Sequence, residues 1–361
     1  MRRRADVRAV LWALLAAVLC VSPAAAFPGS VRWGYANCVT CHHNVGGGGV
    51  LTPYGRQLSR ELLSTWGDED EAEFAYGTMG LPSWLSLGGD ISYMASSEHT
   101  FHLLQADVEG AVHKGRVLAV ASVGRDGDEA DPMGHGWISR RHYLQVDLTR
   151  SLALRGGRFL PLYGVWNGDA SVATRAGLGW NRDTYNVEAD WVTERWSAAA
   201  TAIVADADPH GPIDHGFSAS GGVFFAGKRK VWLSYMNRME AGTRRQATGL
   251  SSVIGIGTHA YLLTQADYQT LRDPADEKRR DVYANACLAR ETVKGLYVLL
   301  IGEIARRDLD APGRLSHSEG AALRWFPRPH FELQARWRHQ DREAVSPAEM
   351  DGFTAFVHFY P

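Results

Sequence analysis

The sequence predicts an all-β transmembrane fold, an antiparallel outer-membrane β-barrel of about sixteen strands, with a small α-helical domain in front of it. Three observations carry that prediction. A leader for export opens the chain, segments of about ten residues with two-residue alternation fill it from Trp84 onward, and the connections between those segments are short and long by turns.

The leader comes first. Met1-Arg2-Arg3-Arg4 is followed by an apolar stretch over residues 10–21 and then by Ser22-Pro23-Ala24-Ala25-Ala26-Phe27. A basic start, a short apolar run and an A-x-A site predict a secretory signal peptide over residues 1–26, cut after Ala26. The run is short for a membrane helix of roughly 20 residues. A lipoprotein site at Cys20 is disfavoured by the bulky Leu19 before it. The formal net charge of -2, with no basic block, argues against a nucleic-acid partner.

The segment 27–80 contains Asn37-Cys38-Val39-Thr40-Cys41-His42-His43 and a glycine run, Gly46 to Gly49. C-x-x-C alone also fits a redox dithiol or half of a zinc site. The histidine that follows, the exported context and the lack of a second C-x-x-C point instead to one covalent haem c. Cys38 and Cys41 would each form a thioether, and His42 would be the proximal iron ligand. His43 reads as a surface or propionate neighbour. Thr52 and Pro53 open a helix whose Leu58, Leu62 and Leu63 share one face. Met79 is the candidate distal ligand, with packing at the domain junction as its equal alternative; His99, His102 and an open distal site are further options.

From residue 81 to 361 the texture is that of a barrel. Leu104, Ala106, Val108, Gly110 and Val112 alternate with Gln105, Asp107 and Glu109; Phe331, Leu333, Ala335 and Trp337 alternate with Glu332, Gln334, Arg336 and Arg338. Short turns are expected at 113–116, 149–151, 193–195, 226–228, 257–260, 291–295 and 326–329. Between them lie longer polar loops at 126–136, 160–183, 206–216, 239–247, 272–280, 308–315 and 341–350. Short periplasmic turns against long outer loops are the habit of outer-membrane barrels, and an even strand number leaves both ends in the periplasm. One face is too polar for a packed core, which weighs against a soluble sandwich. Trp137, Tyr163, Trp180, Trp191, Trp196, Trp232 and Trp325 are expected in interfacial girdles. Cys287 faces the lumen beside Asn285 and reads as structural. Asp126, Asp128, Glu129, Asp131, His135, Asp206, Asp208, His210, Asp214 and His215 offer loop ligands for a cation, or simply solubility.

Taken together, Cys38, Cys41 and His42, the Gly-rich stretch, Thr52-Pro53-Tyr54-Gly55-Arg56 and the barrel pattern resemble the fused cytochrome–porins of the outer membrane, known from iron-oxidising bacteria. The resemblance implies a small cytochrome that plugs its barrel. Electrons would pass between an extracellular donor or acceptor, Fe(II) among them, and a periplasmic carrier such as a soluble cytochrome c. The barrel is shorter than in the best-known iron oxidases. A diffusion porin with a haem domain that gates or senses is the alternative. A barrel-anchored haem peroxidase would need a polar distal pocket with a catalytic base.

Overall fold

A strand with one apolar and one polar face can cross a bilayer only when its neighbours satisfy every backbone group. Sixteen strands meet that condition by closing on themselves. The computed structural model describes residues 30–35, 38–44, 49–96, 102–126, 137–164, 174, 178, 183–206, 215–225, 227–312, 315–342 and 349–360. The expected signal peptide, 1–26, lies outside them.

The first eight strands are β1 (Leu85–Ser96), β2 (His102–Lys114), β3 (Val117–Asp126), β4 (His142–Asp147), β5 (Leu152–Phe159), β6 (Thr184–Val192), β7 (Trp196–Asp206) and β8 (His215–Phe225). The rest are β9 (Arg229–Glu240), β10 (Thr243–Ile256), β11 (Ala260–Arg272), β12 (Lys278–Val293), β13 (Leu296–Arg306), β14 (Leu315–Trp325), β15 (Phe331–Arg342) and β16 (Glu349–Phe359). Each pairs antiparallel with its neighbours in the chain, and β1 pairs with β16 from Ile91↔Phe359 to Ser96↔Thr354, which removes the last free edge. The expected strand number and topology are those observed.

The two faces divide as the alternation requires. Val108, Val187, Leu233, Leu250, Leu300 and Leu323 are more than half exposed, the lipid-facing set. Asp107, Glu109, Arg155, Glu188, Asp190, Asp267 and Glu303 alternate with such residues and are buried inside. Opposite charges meet across the inner wall: Arg141 with Glu109 at 3.0 Å, Arg155 with Glu188 and with Asp190 at 3.6 Å. Buried charges are held by such pairs or, as at Asp267, by hydrogen bonds from Tyr163 and Gln265. Cys287 packs on Tyr261, Leu263, Tyr297 and Phe326, which bears out its structural reading.

Three expectations are corrected. The polar stretch 239–247 is no loop: Ala241 and Gly242 alone join β9 to β10, both with positive φ (48° and 80°), as a two-residue hairpin requires. Its charges serve the ladder, Glu240 reaching Arg238 at 2.7 Å and Arg245 at 3.2 Å. The loop after β5 does not stay outside. Tyr163 donates to Asp267 Oδ1 at 2.9 Å, Gly164 N to Ser234 Oγ at 3.1 Å, and Trp232 Nε1 to Gly164 O at 3.2 Å, so Tyr163 and Trp232 line the lumen and not a girdle. Trp137, Trp191 and Trp196 are exposed as a girdle needs, Trp325 is partly covered by Trp66, and Trp180 lies outside the described residues.

The third correction concerns the leading domain. Among the described residues of 27–80 there is one α-helix, α1 (Pro53–Leu58), which runs into a π turn at Ser59–Leu63; the other helical pieces are short 3-10 turns. The expected small α-helical cytochrome domain is not evident among these described residues. Val50, its most deeply set apolar residue with Ala72, belongs to a cluster with Ala111, Leu118, Val120, Tyr143 and Phe159 of the wall. About fifty residues cannot enclose a core of their own, and here the barrel supplies it.

Candidate haem-attachment segment inside the barrel

Cys38–Thr40 forms a 3-10 turn, and the amides of Cys41 and His42 both donate to Cys38 O, at 3.1 and 2.9 Å. Spacings of three and four residues on a helical turn set Cys38, Cys41 and His42 on one side. The chain then doubles back. His43 N donates to Val50 O at 3.1 Å and Thr52 N to Cys41 O at 2.9 Å, with His42 bridging Leu51. Gly49 makes the return possible: its φ is +69°, and a Cβ there would lie 2.5 Å from Glu109 Oε1.

Thr52 holds the next piece. Its hydroxyl accepts from Gly55 N at 3.0 Å as the cap of α1 and donates to Thr40 O at 2.9 Å. Gly55 lets α1 rest directly on the motif, since a Cβ would come within 2.2 Å of Cys41 O. Buried Arg56 donates to Leu87 O and lies 5.7 Å from the Phe74 ring.

The wall grips this segment on several sides. Arg155 donates to Asn44 Oδ1 at 2.8 Å, Tyr143 to His43 O at 3.2 Å, and Val50 N to Glu109 Oε1 at 3.1 Å. His43 Nε2 is 3.2 Å from Ser86 Oγ, so His43 is turned to the wall rather than to the surface. Arg32 donates to Glu291 and to Tyr297 OH, the latter at 2.9 Å. Thr65 N meets Phe326 O at 2.8 Å, Trp66 N meets Pro327 O at 3.1 Å, and Tyr76 donates to Pro329 O at 2.9 Å. These partners come from β1, β2, β4, β5, β12, β13 and the β14–β15 turn, so the segment fills the short-turn end of the lumen.

Cys38 and Cys41 are not joined by a disulfide. Burial pushes the Cys41 thiol up to about 12 and the Cys38 thiol upward too, so both are held neutral. Moreover, no three His, Cys, Asp or Glu side chains converge on one point among the described residues. Two neutral thiols and an imidazole on one turn, not focused on a common centre, fit a haem, whose thioethers form at the porphyrin edge while the iron sits away from the sulfurs. Burial, then His113 and Arg56, push His43 down to about 4.

Met79 is not gathered in with these residues. It stands 53% exposed on the turn leading into β1. His99 lies outside the described residues, as do Asp128, Glu129, Asp131, His135, Asp208, His210 and Asp214 of the candidate cation loops. A cleft of about 320 Å³ opens beside Arg32, Trp33, Glu61, His259 and Glu291, and none of Cys38, Cys41 and His42 lines it. The wall residues Ser86, Glu109, Tyr143, Arg155 and Glu291 escaped the sequence reading. Alternation sets Glu109 on the polar face, 291–295 reads only as a turn, and nothing local ties any of these residues to the motif.

No family model and no curated protein sequence matches the chain. Solved structures do. OmpT of Vibrio cholerae aligns with a TM-score of 0.63 at 9% identity, covering 77% of this chain and 99% of that one. The anion-selective porin of Comamonas acidovorans aligns at 0.57 and 10%, covering 77% and 99%. The channel DcaP of Acinetobacter baumannii aligns at 0.53 and 10%, covering 77% and 97%. The chain is a porin-like outer-membrane barrel. Such low identities show the fold alone, and they are silent on residues 27–80.

Proposed function

We propose that the protein is an outer-membrane electron conduit. A single haem c on Cys38 and Cys41, with His42 as proximal ligand, would relay electrons between an extracellular donor or acceptor and a periplasmic carrier such as a soluble cytochrome c. Fe(II) oxidation outside the cell is one form this takes. The observation that supports the reading best is the position of Cys38-Val39-Thr40-Cys41-His42 within the lumen, bonded to the inner wall through Asn44, His43 and Val50. A tethered periplasmic cytochrome would have no use for those bonds.

The haem, when bound, supplies one-electron chemistry at a potential set by burial and axial ligation. The chain's own residues do the rest. Gly49 and Gly55 let wall and helix close on the motif, and Arg32 and Arg155 lock it in register. Met79 is the proposed sixth ligand, and its exposure requires the 74–80 turn to fold inward for that role.

A second reading is a diffusion porin in which the segment gates or senses. The solved relatives, porins and channels, favour it over the first. One experiment separates the two. Purified protein in liposomes is exposed to external Fe(II) or dithionite while an enclosed acceptor is followed, and leakage of a small sugar is measured in parallel. Acceptor reduction without leakage is expected of the conduit; leakage without reduction supports the porin.

A further inference from the structure

Seven short turns close the barrel at the end where β1 begins, joining β2–β3, β4–β5, β6–β7, β8–β9, β10–β11, β12–β13 and β14–β15. Basic residues sit in or beside all of them. Lys114 and Arg116, Arg150, Arg195, Lys228, Lys294 and Arg328 serve six turns, and His259 stands in the seventh. Glu194 is the carboxylate within these turns, Asp147 adjoins the β4–β5 turn, and Glu291 stands 3.7 Å from His259.

What these cations touch is informative. Arg328 is taken by the plug, at 3.3 Å from Asp68 and 3.1 Å from Glu71. Lys114, Arg116, Arg150, Arg195, Lys228 and Lys294 have no ion pair among the described residues; Arg116 and Lys228 donate to carbonyls of Leu148 and Gly257. The opposite end of the barrel behaves differently. There Arg272 pairs with Asp276 at 2.7 Å, Arg279 with Asp281 at 3.1 Å, and Arg280 with Asp310. Six cations of the short-turn end thus have no carboxylate partner among the described residues, whereas these three of the long-loop end do.

Their surroundings say where the counter-charge comes from. Val117, Leu148, Trp191, Trp196 and Val293 are exposed and flank the same turns, which places the cations at the level where the apolar belt gives way to headgroups. They also recur every second strand around a closed barrel, whereas a globular partner needs one contiguous face. The centre of the ring holds the plug, whose exposed Asp68, Glu69, Asp70 and Glu73 would repel an acidic protein.

We propose that this ring binds the anionic headgroups of phospholipids in the inner leaflet of the outer membrane. Each lysine or arginine would donate to phosphodiester oxygens, so that the barrel keeps an annulus enriched in acidic lipid. The inference is independent of the haem.

The test uses the full chain in phosphatidylcholine vesicles carrying a minor fraction of phosphatidylglycerol. Spin-labelled versions of the two lipids report which one occupies the protein boundary. Wild type should enrich phosphatidylglycerol about two- to fivefold at low salt, and the enrichment should fall as salt screens the charges. A variant with Lys114→Gln, Arg116→Gln, Arg150→Gln and Arg195→Gln should bring it close to one, while Arg272→Gln at the other end should leave it unchanged. Heat-dependent gel mobility shows whether each variant has folded. No enrichment in wild type, enrichment insensitive to salt, or a quadruple variant that matches wild type overturns the proposal. So does displacement of the lipid preference by inorganic phosphate at equal concentration, or an unselective annulus together with retention of an acidic soluble protein. If the quadruple variant does not fold, the salt dependence of wild type decides.

Discussion

Replacing Gly55 with alanine tests the tightest contact in the plug. The new Cβ would lie 2.2 Å from Cys41 O and 2.8 Å from Cys41 Cα, against an ordinary contact of 3.4 Å or more. Helix α1 must therefore withdraw by about 1 Å, an overpacking cost of about 1–3 kcal/mol. The withdrawal also stretches the bonds from Thr52 N to Cys41 O and from Thr52 Oγ1 to Thr40 O, both 2.9 Å now. At roughly 0.5 kcal/mol for each of these two weakened hydrogen bonds, the total is about 2–4 kcal/mol. That raises the population of the open plug by about 30- to 1,000-fold. The sixteen-strand ladder does not use Gly55, so the barrel itself should keep its resistance to heat and detergent. The readout is maleimide labelling of Cys38 and Cys41 in haem-free protein, with buried Cys287 as the internal control. Labelling follows the open population when closing is fast. A Gly55→Ala rate within twofold of wild type would refute the contact and the magnitude drawn from it.

Three other predictions concern the same segment. Arg32→Met leaves Glu291 without its guanidinium partner and should destabilise plug docking by about 3 kcal/mol, seen as a new ion conductance in planar bilayers. For His43, the folded value of about 4 lies below the ordinary 6.5. Neutral imidazole is the form the plug accepts, so its contribution is fully present above pH 6.5 and is lost as pH falls towards 4. The loss is at most about 3 kcal/mol at 1.36 kcal/mol per unit. Thiol labelling should accelerate over that window, and His43→Gln should flatten the profile. Met79→Ala should lower the haem potential if the thioether is the sixth ligand, and an unchanged potential removes Met79 from the site.

Strand number, topology and the polarity of the two faces were all legible in the chain, because a strand that faces lipid on one side and charge on the other writes its period into every second residue. What the period does not record is where the chain goes between strands. Ala241-Gly242 lies within a polar run that reads as a loop, yet the charges there form cross-strand pairs such as Arg245–Glu240. The loop after β5 is polar enough to stay outside, but Tyr163 and buried Leu178 reveal their inward packing only against Met236 and Tyr283, far away in sequence. The motif Cys38, Cys41 and His42 was plain as chemistry. A plugged lumen is what the resemblance implies, but the wall residues that hold the motif were not legible, because Asn44–Arg155 and Arg32–Tyr297 join residues 111 and 265 positions apart.

Those long separations also impose an order of assembly. The plug precedes β1, while several of its partners, Glu291, Tyr297, Phe326 and Pro329, are made last. Closure of β16 against β1 then seals the ring around it. Any group carried by Cys38 and Cys41 has to be attached while the chain is still open in the periplasm. Attachment of such a group would therefore come before membrane insertion, and a delay in the first step would leave the second to close over bare thiols.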